Sequence, residues 1–185
     1  MTHPSLHRSQ RGRKGQLLVE LLVALSVLTV GFLGIISLLA RSLSLNRVIT
    51  DNYRATYLAA EGIEVVKNIL DANYVNDPTG TVIPWNFGLT GGWYEVEYDA
   101  TIVGPAPIEV LSASPSWELY RSLRFDPDTN LYTYRGLEGV AFRRAIRTEL
   151  LGSNEVKVNA VVHWATRGGG TFEVNVEDHF YDWRP

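Results

Sequence analysis

Twenty-four consecutive residues, Leu17 to Ala40, carry one charge, Glu20. No feature of the chain constrains its fold more. At 1.5 Å per residue a helix of that length reaches about 36 Å, against a bilayer hydrocarbon core of about 30 Å. A secretory signal peptide has a shorter apolar stretch and a small-residue cleavage site after it. Neither holds here. A buried globular helix is excluded by length in the same way. The flanks give direction. Arg8, Arg11, Arg13 and Lys14 precede the run and no acid accompanies them, so residues 1–15 are expected to stay cytoplasmic and the C-terminal part to lie outside.

The helical pattern continues past the membrane-length run. No proline occurs between Pro4 and Pro78. Leu58, Ala59, Gly62, Ile63, Val66, Ile69 and Leu70 fall at steps of three and four, one face of a helix, with Glu61, Glu64, Asn68 and Asp71 on the other. Asn76-Asp77-Pro78 predicts the stop. One helix of about 55 residues is therefore expected, far beyond the globular average of about 11–12.

Downstream the period changes to two. Tyr94 to Ile102, Val156 to Trp164 and Phe172 to Val176 alternate apolar with polar residues, as half-buried antiparallel strands do. Gly168-Gly169-Gly170 predicts a hairpin between the last two. Weaker strands are expected at Trp117–Phe125, Leu131–Tyr134 and Phe142–Leu150, and Pro105, Pro107 and Pro115 mark a loop. The sheet needs a cover on its apolar face, and the Leu58–Leu70 stripe is the candidate. The expected fold class is α+β: a long N-terminal helix, transmembrane in its first half and amphipathic in its second, packed on an antiparallel sheet. Its segments are a leader at 1–15, a membrane helix at 16–40, an amphipathic continuation at 41–74 and a β-rich domain at 75–185.

Charge and composition exclude several functions. Without the four basic leader residues, 13 basic side chains face 20 acidic ones, a net of −7. A nucleic-acid surface is not expected from such a domain. With no cysteine there is no disulfide framework and no thiolate metal site. Asp126-Pro127-Asp128-Thr129-Asn130 has the spacing that opens a calcium loop, but the sixth and twelfth positions hold Leu131 and Leu137 instead of Gly and Glu, and Asp-Pro-Asp is ordinary turn chemistry. His163 and His179 are the histidines outside the leader, one expected on a strand's polar face and one near the chain end. No nucleophile, phosphate-loop or metalloprotease pattern is present. No catalytic residue, metal or cofactor is expected. Arg143, Arg144 and Arg147 are expected on a solvated face, paired with Glu149.

A lone glutamate in an apolar span needs a reason. A charge near the centre of a membrane helix costs about 2.5–3.5 kcal/mol on insertion scales, and less near an end. Cutting the chain after Gly15 would place a cationic α-amine on Gln16, four residues before Glu20 on the same helix face. A neighbouring subunit's amine would serve equally. Arg13-Lys14-Gly15, then Gln16-Leu17-Leu18-Val19-Glu20 and the apolar run, resembles the prepilin-type cleavage and methylation motif shared by type IV pilins, minor pilins and type II secretion pseudopilins. Ala55 to Glu64 is similar to the extended helix of that family. Val162-His163-Trp164 and Tyr181-Asp182-Trp183 look most like the minor pilins called pilus modification proteins.

The resemblance implies a structural subunit of a type IV pilus-type fibre, not an enzyme. It implies a prepilin peptidase that cuts between Gly15 and Gln16 and methylates the new terminus, and an assembly role for Glu20. The implied partners are that peptidase, other pilin or pseudopilin subunits and an inner-membrane assembly platform. The chain departs from the family pattern in three places. Gln16 stands where phenylalanine is usual, the C-terminal Cys pair of many major pilins is absent, and the span lacks a mid-helix proline, with Gly31 and Gly34 there instead. The alternatives are a secretion-system pseudopilin, and an uncleaved single-pass anchor carrying a binding domain.

Overall fold

The computed structural model describes residues 11–100, 109–111, 117, 120–136, 138–166 and 169–183. Of the expected Pro105–Pro115 loop only 109–111 are described, and they form a strand instead; the rest of it, most of the leader and Leu137 lie outside the described residues. The fold is α+β: one long N-terminal helix and an antiparallel sheet. The helix α1 runs from Arg11 to Asn76, 66 residues, longer at both ends than the sequence pattern requires. The chain divides into two compact units, Met1–Arg47 and Val48–Pro185.

In the first unit every residue from Gly15 to Arg47 is exposed. Its large apolar side chains, Leu17 through Leu45, keep between 54% and 71% of their surface open. The only polar groups that the apolar run carries besides Glu20 are hydroxyls, and two are satisfied inside the helix. Ser26 Oγ donates to Leu22 O at 2.8 Å and Thr29 Oγ1 to Leu25 O at 2.7 Å. A hydroxyl bonded to the preceding turn needs no water. This helix is long and apolar enough to cross a membrane, with a mean hydropathy of 2.5 in its most apolar window.

The second unit has the core. Leu58, Ala59, Ile63, Val66, Ile69 and Leu70 are all buried, as the stripe predicts, together with Ala55 and Val65. Gly62 is the point of closest approach. A Cβ there would stand 2.6 Å from Ile146 Cδ1 and 3.2 Å from Arg144 Cδ. The absence of a side chain lets the helix backbone settle on the sheet. The helix stops where expected. Asn73 is buried and its Nδ2 donates to Trp85 O and Phe87 O, each at 3.0 Å. The Asp77 carboxylate then accepts the N–H groups of Val82 at 2.7 Å and Ile83 at 2.8 Å. The Ile83 N–H first, then the Thr79 hydroxyl and the Val82 N–H, hold it well below the usual carboxylate range.

The strands are β1 (Gly92–Glu95), β2 (Glu109–Leu111), β3 (Ser122–Asp126), β4 (Leu131–Thr133), β5 (Glu138–Leu150), β6 (Glu155–Ala165) and β7 (Thr171–Tyr181). All pairs are antiparallel. β5 is central. One side pairs with β6, which pairs with β7; the other is shared by β1, next to β2, and by β3, next to β4. The Val156–Trp164 alternation holds: Val156, Val158, Ala160, Val162 and Trp164 are buried on the helix side. The Gly168–Gly170 hairpin also holds in its described part, where Thr166 N–H donates to Gly170 O at 2.8 Å and Gly169 adopts a φ of 80°.

The strand expected from Trp117 begins only at Ser122, and two further expectations fail. The strand expected over Tyr94–Ile102 ends at Glu95, and Thr101 and Ile102 lie outside the described residues. Side chains take the bonds that a longer ladder would use. Glu95, only 2% exposed, accepts the Arg121 N–H at 2.7 Å and pairs with the Arg121 guanidinium. Glu97 accepts the Tyr134 N–H at 2.8 Å and pairs with Arg135. The expected solvated arginine face fails at Arg144, which is fully buried. It shares a side of β5 with Phe142 and Ile146, so strand parity turns it into the core. Glu61, expected on the solvent side of the helix, lies beside it. Arg147 does face outward, 3.9 Å from Glu149.

Candidate functional site

Gly15, Gln16 and Glu20 all lie in the early turns of α1, exposed. A Cβ on Gly15 would meet nothing within 4 Å, so no packing contact of this chain demands a glycine. Glycine costs about 1 kcal/mol relative to alanine in a helix interior. Gln16 and Glu20 are one turn apart on one face. No described side chain closes on either, because the surrounding surface is unpartnered helix. Gly31 and Gly34 have open space around them too, and α1 continues through both.

The second unit holds three charged clusters, of which the sequence pointed to one, the Asp126 turn, and missed the other two. In the core, Arg144 Nη1 donates to Leu58 O at 2.9 Å and Nη2 to Val96 O at 2.8 Å. Nη1 also stands 3.1 Å from Glu61 Oε1, an ion-pair contact, since its hydrogen bond is directed at Leu58 O. Tyr134 closes the cluster: its hydroxyl donates to Arg144 O at 3.2 Å. Burial, the larger effect, pushes that phenol up despite the Arg144 charge. Arg144 thus ties α1, β5 and the chain after β1 together. It is a structural group, enclosed on all sides.

At the β3–β4 hairpin, Asp126 accepts the Asp128 N–H and the Thr129 hydroxyl, both at 3.0 Å, and Asn130 takes a φ of 58°. The Asp-Pro-Asp segment is a working turn whose first carboxylate is spent on the turn itself.

The third cluster lies on the outer face of β6 and β7. His179 Nδ1 stands 2.6 Å from Glu155 Oε1, and Nε2 is 3.4 Å from Glu177 Oε1. Tyr181 donates its hydroxyl to Glu155 Oε1 at 3.2 Å. Lys157 Nζ is 2.9 Å from Glu177 Oε2, and Asn159 Nδ2 donates to the same oxygen at 2.9 Å. The Glu155 hydrogen bond, then the Glu177 one, raises the His179 imidazole above its ordinary value. The Asn159, Lys157 and His179 contacts, in that order, lower Glu177 to about 2. A signal for this cluster was present in the sequence. The glycine hairpin sets a register in which Glu155 faces Tyr181 and Lys157 faces His179.

The sign of the linkage follows. His179 has its folded pKa raised, so its contribution is complete below the ordinary histidine value of about 6.5 and is lost as pH climbs through the folded value. Glu177 is lowered, so its contribution is complete above the ordinary glutamate value and is lost as pH falls toward 2. The thermal midpoint is expected to decline as pH rises above about 6.5, and His179→Gln to flatten that decline. Thermal unfolding at stepped pH values for both proteins measures it. Parallel curves would remove His179 from the pH dependence.

His163 also has a defined place. It stacks on Trp117, centroids 4.9 Å apart and 8° between planes. Burial, the largest influence, lowers its pKa. Beyond the histidines, a groove of about 270 Å³ runs between the last turns of α1 and the end of β7, lined among others by Lys67, Leu70, Tyr74, Phe180 and Trp183. Among the described residues, no group of three or more metal-ligating side chains is placed to hold an ion. Comparison with protein-family models, with curated proteins and with solved structures finds no match.

Proposed function

We propose that this chain is a prepilin-like structural subunit, most like a minor pilin, stored in a membrane and assembled through α1 into a pilus-type fibre. The observation that carries the reading is the contrast along one helix. Its second half buries an apolar stripe against its own sheet, while Leu17 to Leu45 are left open with no partner among the described residues. Transfer of that surface to water is strongly unfavourable, at roughly 25 cal/mol per Å². Lipid satisfies it first, and a bundle of like helices satisfies it equally well because both are apolar. Glu20 gives the bundle a register if it meets the Gln16 amine of a processed neighbour. The orientation places 1–15 in the cytoplasm, where basic residues are retained, and the β-rich unit outside.

In this reading a prepilin peptidase releases residues 1–15, other pilin or pseudopilin subunits surround α1, and an inner-membrane platform drives insertion into the fibre. The chain itself has no catalytic part. The pseudopilin reading shares each of these steps and differs only in the machine served. The anchored-domain reading differs at the first step, because the anchor keeps its leader.

The test is processing. Co-expressed with a prepilin peptidase, the protein is expected to begin at Gln16, and Gly15→Asp to stay full length while still entering the membrane fraction. Intact mass spectrometry of that fraction decides it. An uncut wild-type N-terminus beside a peptidase that cuts a control substrate would sink the prepilin reading and leave the anchored domain.

A further inference from the structure

β7 is a long edge. Thr171 to Tyr181 is 11 residues, and among the described residues it pairs only with β6. The other outer strands, β2 and β4, have three residues each. Along an antiparallel edge half of the backbone N–H and C=O groups point away from the ladder, ready for another strand. Proteins blunt such edges when nothing is meant to bind, and charges on β7 do so selectively. It carries Glu173, Glu177 and Asp178 and no Lys or Arg. Pairing with a second copy of itself in the registers that set Glu173 or Glu177 opposite Glu177 would bring carboxylates against carboxylates, which is destabilising across a strand pair.

The surroundings of the edge are sided. On the helix side of the sheet, Val174, Val176 and Phe180 are only partly buried, and the groove continues them, walled by Leu70 and Tyr74. Trp183, 68% exposed, packs against Tyr74 with centroids 4.3 Å apart and the rings tilted by 40°. On the outer side stand Glu173 and Glu177, both exposed. A strand laid along β7 would therefore turn alternate side chains toward a groove of aromatic and apolar residues, edged by Lys67, Asp71 and Asp178, and toward the carboxylates of Glu173 and Glu177.

We propose that the free edge of β7, with its adjoining groove, receives an extended segment of a partner polypeptide that alternates basic and apolar residues. Backbone bonds to β7 supply the pairing, Leu70, Tyr74, Phe180 and Trp183 receive the apolar side chains, and Glu173 selects Lys or Arg on the other face, with less from Glu177 because Lys157 already pairs it. The site uses only residues of the second unit, so it does not depend on how the membrane-length first half of α1 is employed.

The probe is a ten-residue peptide alternating lysine with valine, added to the full chain in detergent micelles. Hydrogen exchange of the β7 amides, read by mass spectrometry, is expected to slow by about tenfold or more. A glutamate–valine peptide, and the lysine–valine peptide with a central proline, are expected to leave β7 unprotected, since one repels the carboxylates and the other cannot complete a ladder. Glu173→Lys, on the outer face, is expected to remove the preference for the lysine–valine peptide over the glutamate–valine peptide. Absence of protection by the lysine–valine peptide would overturn the proposal. Equal protection by the proline peptide would reduce it to charge adhesion and overturn it as well. Protection that rises with protein concentration alone would make a second copy the occupant, against the proposal.

Discussion

Arg144→Ala is expected to destabilise the Val48–Pro185 unit by about 3–5 kcal/mol, the largest effect of any single replacement of a charged residue in it. The change removes donors from Leu58 O and Val96 O, both of which are then buried without their partner. Each such loss costs about 1–3 kcal/mol. It also leaves a cavity where a fully buried side chain stood beside Ile146 and Gly62. Glu61 adds less, because about a third of its side chain reaches solvent and can be hydrated. Arg144→Lys is expected to fall between the two, since a single ammonium cannot span both carbonyls as the guanidinium fork does. Chemical denaturation followed by tryptophan fluorescence, with five tryptophans as reporters, measures both. An alanine variant within about 1 kcal/mol of wild type would show that the core tolerates the loss, and that Arg144 does not hold α1 to the sheet.

Glu20→Leu separates the assembly reading from a plain anchor. The variant keeps the apolar run and Gly15, so insertion and cutting are expected to be unchanged. If the carboxylate meets a processed Gln16 amine in the fibre, an incoming cation is left unpaired in apolar surroundings. Removing one partner of a buried pair costs about 3–5 kcal/mol, and incorporation is expected to drop by more than about tenfold at that cost. Wild-type neighbours can carry a scarce variant subunit, so the protein itself must be followed. Its amount in sheared fibres is compared with the total processed protein. Equal incorporation of the two forms would end the assembly role of Glu20 and favour the anchored-domain reading. Because processing is measured in the same samples, a failure of cutting is distinguishable from a failure of assembly.

The helix was legible in the sequence because its signals are local. Leu17–Ala40 needs no knowledge of the rest of the chain to read as membrane-length, and the steps of three and four from Leu58 to Leu70 state which face is buried. The β6–β7 hairpin was legible for the same reason: alternation on both sides of a glycine run defines the two strands. The strand after Trp93 was not. Its alternation continues to Ile102, yet the ladder stops at Glu95. The carboxylates at Glu95 and Glu97 look like solvent-side residues until Arg121 and the Tyr134 N–H are brought to them from 26 and 37 positions away.

Arg144 shows the limit most sharply. Charge placed it outside, whereas its parity with Phe142 and Ile146 placed it inside, and composition alone could not weigh the two. Burial of an arginine is tolerated only where acceptors are waiting. Here they are a helix carbonyl, Leu58 O, and a carbonyl just past β1, Val96 O, neither of which has a sequence signature. The sequence by itself determined the membrane-length helix, its amphipathic continuation and the class of the sheet, since each rests on a repeat within a few residues. The tertiary structure decided the burial of Arg144, the end of β1, the His179 cluster and the open edge of β7, since each depends on which distant backbone and side-chain groups the folded chain sets within a few ångströms.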